Sequence, residues 1–60
     1  MHQKFGVSQA DFDAMVENQE YTVLAEKLKA NLDSKKIREG DYEASLKWLK
    51  ETAKMNGKSL

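Results

Sequence analysis

Between residues 21 and 32 the apolar side chains recur with the period of a helix. Tyr21, Leu24, Ala25, Leu28 and Leu32 stand at i, i+3, i+4, i+7 and i+11, which places them on one face. Upstream, Phe12, Met15 and Val16 form a shorter stripe of the same kind. At about 100° per residue the two stripes point in nearly opposite directions, so one straight helix would need a core on both sides. The pattern therefore predicts two helices with a break near Glu17–Glu20, and Asn18 is a candidate cap for the second. A third helix is expected from a cap at Asp41 to Gly57, with Tyr42, Leu46, Leu49 and Ala53 as its main stripe and with favoured residues at both ends.

The first helix has its own start signal. Ser8 can accept a hydrogen bond from the opening turn, and Asp11 takes the reciprocal position of a capping box. Val7 and Phe12 have the spacing of a hydrophobic staple. Asp11 and Asp13 suit the positive end of a helix dipole. The segment 33–40, with Ser34, Lys35, Lys36 and Arg38, reads as a last turn plus a connection. Ile37 is its one apolar residue and could tuck under that turn. The fold class is thus all-α. An antiparallel helical hairpin (about 20–34 and 41–56) carries a short helix (about 9–17) packed across it, and residues 1–60 make one domain.

A second apolar stripe complicates this plan. Ala44, Trp48 and Met55 lie on the third helix away from Tyr42, Leu46 and Leu49, with Thr52 between them. Val23 and Ala30 make a weaker counterpart on the second helix, continued by Ile37. A three-helix domain of this size has one interior, which leaves two readings. In one, Phe12, Met15 and Val16 lie over the stripe and complete the core. In the other, Trp48, Met55, Ala44, Val23 and Ala30 form a protein interface anchored by Trp48, a residue type enriched with Met at interface centres.

Length sharpens the question. A chain of 60 residues buries only about 60% of the surface it exposes when unfolded, so small domains usually add a staple. With no cysteine there is neither a disulfide nor a thiolate metal site. His2, the sole histidine, is expected to be a solvated end residue rather than a ligand. Association, with a protein partner or as a homo-oligomer, is the remaining staple. No apolar run approaches the roughly 20 residues of a membrane span, and no secretory h-region follows the start Met. The expectation is a cytoplasmic protein.

The ten basic and ten acidic residues cancel, which predicts no general attraction to polyanions. Their distribution is uneven. Asp11, Asp13, Glu17 and Glu20 make the first third acidic, an alternative partner face. Lys35, Lys36 and Arg38 are candidate phosphate contacts, although lysines late in a helix also serve its dipole. A helix–turn–helix reading ranks lower, because the acidic first helix would repel phosphates and the next one offers no basic start. No nucleophile has a base near it, no glycine-rich loop precedes a lysine, and Asp11 and Asp13 do not face each other. The sequence therefore predicts no enzyme, no cofactor and no small-molecule substrate.

From Leu24-Ala25-Glu26-Lys27-Leu28 through Gly40-Asp41-Tyr42-Glu43-Ala44-Ser45-Leu46-Lys47-Trp48-Leu49-Lys50 to Met55-Asn56-Gly57, the second half resembles the helical hairpin of bacteriophage terminase small subunits. The resemblance covers about half the chain and rests on small and apolar residues. It implies a ring-forming DNA-packaging adaptor whose hairpin supplies the subunit contacts. Members of that family are usually longer and often carry a separate DNA-binding domain, and here the N-terminal part is short and acidic. The expected function is accordingly a non-enzymatic, self-associating helical adaptor of phage type. The alternative is a monomeric modulator that binds a host or viral protein through the acidic first helix.

Overall fold

A computed structural model describes residues 2–60. A 3-10 helix, His2–Phe5, leads into α1 (Gln9–Glu17), α2 (Tyr21–Asp33) and α3 (Glu39–Met55). No strand occurs among the described residues. The radius of gyration is 10.7 Å, against roughly 10 Å for a compact chain of this length, so the helices are closed on one another. The all-α expectation holds, with the α2–α3 hairpin and α1 packed beside it.

The helix starts follow local chemistry in one case of three. Ser8 caps α1, its Oγ accepting from the Asp11 amide at 3.2 Å. Asn18 does not open α2 as its side chain suggests. It closes α1, and Glu20 precedes α2 without a side-chain cap. Likewise α3 begins at Glu39 after Arg38, two residues ahead of the expected Asp41 cap, so Gly40 lies in the first helical turn and not in a connection. Asp41 lies inside the first turn, where its carboxylate is 3.3 Å from the Lys4 ammonium, and Glu39 with Asp41 suits the positive helix end.

All three helices end in the same way. The amides of Glu20, Lys36 and Lys58 donate to the carbonyls of Met15, Asn31 and Ala53, five residues back. The amides of Gln19, Lys35 and Gly57 donate to Val16, Leu32 and Lys54. This double pattern is a Schellman closure, which needs a left-handed residue just past the helix. Gly57 supplies it at φ 73° without strain, whereas Gln19 and Lys35 adopt φ 57° and 60° with a Cβ present.

The core joins Leu24 and Leu28 of α2 to Leu49 and Ala53 of α3, all fully buried, with Tyr21 at one end. Ser45, one turn before Leu49, is also buried, while Tyr42 and Leu46 are half-buried. At the open end of the hairpin, the Asn56 side-chain amide donates to both the Tyr21 hydroxyl (3.0 Å) and the Thr52 carbonyl (2.9 Å). Near the connection, the Lys29 ammonium lies 5.9 Å from the centre of the Tyr42 ring.

The N-terminal turn is the main departure from expectation. Residues 2–5 are helical, and Phe5 is buried with only 1% exposure. His2 is half-buried with Nδ1 enclosed and without a hydrogen-bond partner, so it is not the solvated end residue anticipated. The 3-10 helix lies against α1, α2 and α3 alike, whereas the backbone of α1 is close to α2 but not to α3. The Asn31 side-chain amide donates to the Lys4 carbonyl at 3.0 Å. Gly6 follows at φ 70°, where an added Cβ would stand 2.8 Å from Asn31 Nδ2.

Two glycines thus differ sharply, and substitution separates them. Gly6→Ala should destabilise by about 1–2 kcal/mol or more, from the left-handed backbone alone, with the Asn31 clash added. Gly40→Ala, in open space within a helix, should stabilise by about 0.5–1 kcal/mol. Thermal denaturation reads both, and equal shifts of one sign would refute the placement of the N-terminal turn. Gln19→Gly and Lys35→Gly should each raise the melting temperature, since each relieves about 1 kcal/mol of left-handed strain. A fall in both would mean that these side chains carry contacts outweighing that strain.

Candidate interaction surfaces

The second apolar stripe divides. Trp48 is half-buried and joins an aromatic cluster. Its ring stacks on Phe12 at 5.8 Å and 30°, and meets Phe5 edge-on at 6.4 Å and 63°. Phe5 and Phe12 are 5.4 Å apart. Val7, Met15 and Val16 pack around the same core. The reading in which the N-terminal part lies over Trp48 is therefore realised in this structure, with Phe5 doing much of the covering.

The other stripe residues stay outside. Met55 is 86% exposed, Val23 is 37% exposed, and Ala44 and Ala30 are exposed. Ile37 is half-buried against the core and continues no external line. The cover stops at Trp48 because α1 and the 3-10 helix are short, which leaves Met55 two turns further along α3 uncovered.

Asp11, Asp13, Glu17 and Glu20 are all exposed, and none is within 4 Å of a cationic group among the described residues. Only Asp13 has a side-chain partner, the Gln9 amide, which donates to it at 2.8 Å. No Lys, Arg or His occurs from Phe5 to Glu26, so this edge is acidic without internal compensation. Lys35, Lys36 and Arg38 surround the α2–α3 connection, exposed and free of ion pairs among the described residues. Their backbone is committed to ending α2 and starting α3, which holds the turn while the side chains remain in solvent.

The sequence reading passed over a third charged surface. Lys47, Lys50 and Lys54 sit at i, i+3 and i+7 on α3 and are all exposed, and Lys58 follows just past its end. Their signal in the sequence is the i, i+3, i+7 spacing of lysine on the polar side opposite Leu49 and Ala53. These four form no ion pair among the described residues, whereas Lys4 and Lys29 do, with Asp41 and Asp33.

One shallow groove runs along α2, lined by Thr22, Ala25, Glu26, Lys29, Ala30 and Leu60 among others, with a volume of about 560 Å³. Its polar lining is Thr22, Glu26, Lys29, Asp33 and Ser59, with the lysine held by Asp33 at 3.5 Å. Among the described residues no three His, Cys, Asp or Glu side chains gather as a metal site, and no helix is long and apolar enough to cross a membrane. No protein-family model, no curated protein and no solved structure matches this chain.

The aromatic cluster and the outer stripe should respond differently to truncation. Phe5→Ala should cost about 3–5 kcal/mol, as for buried aromatics generally, and Trp48→Ala somewhat less because it is half-covered. Met55→Ala should stay within about 0.5 kcal/mol. Chemical denaturation followed by circular dichroism measures all three. A tolerated Phe5→Ala would show that the N-terminal turn does not seal the core.

Proposed function

We propose that this chain is a non-enzymatic helical module that acts by binding another protein through the acidic edge formed by α1 and its exit. The observation that carries this is the segregation of charge. Up to Glu26 the chain has one lysine against five carboxylates, and from Lys27 onward nine basic residues against five acidic. The four carboxylates Asp11, Asp13, Glu17 and Glu20 face solvent without ion pairs among the described residues. Such a surface attracts a basic partner over a Debye length of about 8–10 Å and raises association rates. Short, capped and fixed by Phe12 in the core, α1 presents these groups with little conformational loss on binding.

A second reading is self-association, including the ring-forming packaging adaptor that the terminase-like hairpin suggests. Its support is the exposure of Met55 and, three turns earlier on the same side of α3, Ala44, and of Val23 and Ala30 on α2. Its weakness is Trp48, the intended anchor, whose ring is engaged by Phe5 and Phe12. A single exposed methionine with small neighbours offers far less than the roughly 800 Å² per partner of a stable interface.

Two measurements on the same samples separate these readings. Sedimentation equilibrium over a wide concentration range should give the mass of one chain. Photo-crosslinkers at Gln9 or Ala10, beside the carboxylates, should capture a basic protein from the native cell. Asp13→Asn with Glu17→Gln should weaken that capture roughly tenfold, and raised salt should do the same. A concentration-dependent oligomer abolished by Met55→Asp would instead establish self-association. Undiminished capture by the neutralised variant would remove the acidic edge from consideration.

A further inference from the structure

We propose that the outer face of α3, through Lys47, Lys50 and Lys54 with Lys58 beyond them, is a contact surface for the phosphate backbone of nucleic acid. This surface and partner are independent of the acidic-edge reading. At about 100° per residue the three helical lysines share one side of α3. That side is turned away from Trp48, and so from α1 and the 3-10 helix. From Lys47 to Lys58 the exposed arc holds four lysines and one carboxylate, Glu51, with Glu43 a turn earlier. No lysine of the arc is paired with either among the described residues.

Helix stabilisation accounts for the row only in part. Lysine favours the last turn because of the dipole, which explains Lys54. Lys47 has Glu43 and Glu51 four residues to either side, at the spacing of helical charge pairs. Neither effect explains Lys50. The kind of partner follows from what accompanies the charges. Protein interfaces have an apolar centre inside a polar rim, and surface-lying membrane helices insert an apolar face. Here the apolar face of α3 is spent on the core, and the exposed Met55 lies on the Trp48 side, away from the lysines. Nucleic-acid interfaces, by contrast, are polar and strongly positive.

The spacing also fits. Lys47 to Lys54 covers about 10 Å of helix, along which one strand of a duplex presents about three phosphates. Aromatic stacking on bases is not available on this face, since Phe5, Phe12, Tyr21 and Trp48 are engaged in packing. The contact is therefore blind to sequence and rests on counterion release. Each lysine–phosphate contact contributes about 0.9 to the slope of log affinity against log salt. The acidic edge, lying elsewhere, repels the same phosphates and so orients the molecule with α3 inward.

The test is anisotropy of a fluorescent duplex of arbitrary sequence, titrated with the full chain from about 0.01 to 0.15 M salt. Binding should show a slope near −3, the same for an unrelated duplex sequence. Lys47→Gln, Lys50→Gln and Lys54→Gln together should abolish it while circular dichroism and melting temperature are preserved, these being exposed positions. Asp13→Asn with Glu17→Gln should bind at least as tightly as the unmodified chain. No binding at the lowest salt overturns the proposal. So does loss of binding on neutralising Lys35, Lys36 and Arg38 with retention in the α3 triple variant, which would assign the contact to the connection. If polyglutamate of equal charge displaces the duplex as well as unlabelled duplex does, the surface fits an acidic protein, and the nucleic-acid assignment falls.

Discussion

The insertion of Phe5 between α1, α2 and α3 is the contact on which the remainder of the structure depends. A hairpin of two helices has one seam, and Leu24, Leu28, Leu49 and Ala53 fill it. What makes the object a closed domain is a third layer, and α1 alone does not reach α3 with its backbone. Phe5 fills the difference, touching Phe12 on one side and Trp48 on the other. Burying such a ring is worth about 1.5–3 kcal/mol, in a domain whose whole stability is of order 3–9 kcal/mol at 0.05–0.15 kcal/mol per residue. The Asn31 bond to the Lys4 carbonyl and the bare Cα of Gly6 let the chain lie close enough on α2 for this to happen.

The connections are built differently from the core. Both inter-helix links are closed by amide-to-carbonyl bonds of the backbone, with Gln19 and Lys35 held left-handed. Tertiary packing fixes the helix directions and the links follow. On the surface left over, acidic groups are gathered on α1 and lysines on the outer side of α3. Charge separation of this kind is not needed for folding, since exposed pairs are worth only about 0–1 kcal/mol, and it is where binding specificity can reside.

Much of the fold was legible because α1 and α2 obey simple rules. Ser8 caps, and Tyr21 to Leu32 keep a helical period whose phase conflicts with that of Phe12 to Val16. The misreadings concern residues with the chemistry of a cap that stand elsewhere in the helices. Asp41 lies inside the first turn of α3, beside Lys4. Asn18 closes α1 through its backbone amide instead of opening α2. Phe5 carried no periodic signal, standing alone after three polar residues, so its burial became visible only where it packs against the stacked pair Phe12 and Trp48. For the candidate surfaces, the acidic edge was visible as a run in the sequence. The α3 lysines required the opposite exercise of reading the polar face of a helix whose apolar face had drawn attention.

The Phe5–Trp48 contact joins nearly the two ends of the chain, whereas the α2–α3 seam closes over a short connection. Loop closure favours local pairings, so the hairpin can assemble rapidly and the N-terminal turn docks afterwards. The same order holds in reverse. Segments held by few contacts open at lower free energy than the whole molecule, and release of residues 2–8 would expose the sides of Trp48 and Phe12 that Phe5 covers, while those two rings stay stacked on each other. The hold of that N-terminal latch on the three helices rests on one phenylalanine, one asparagine side chain and one glycine.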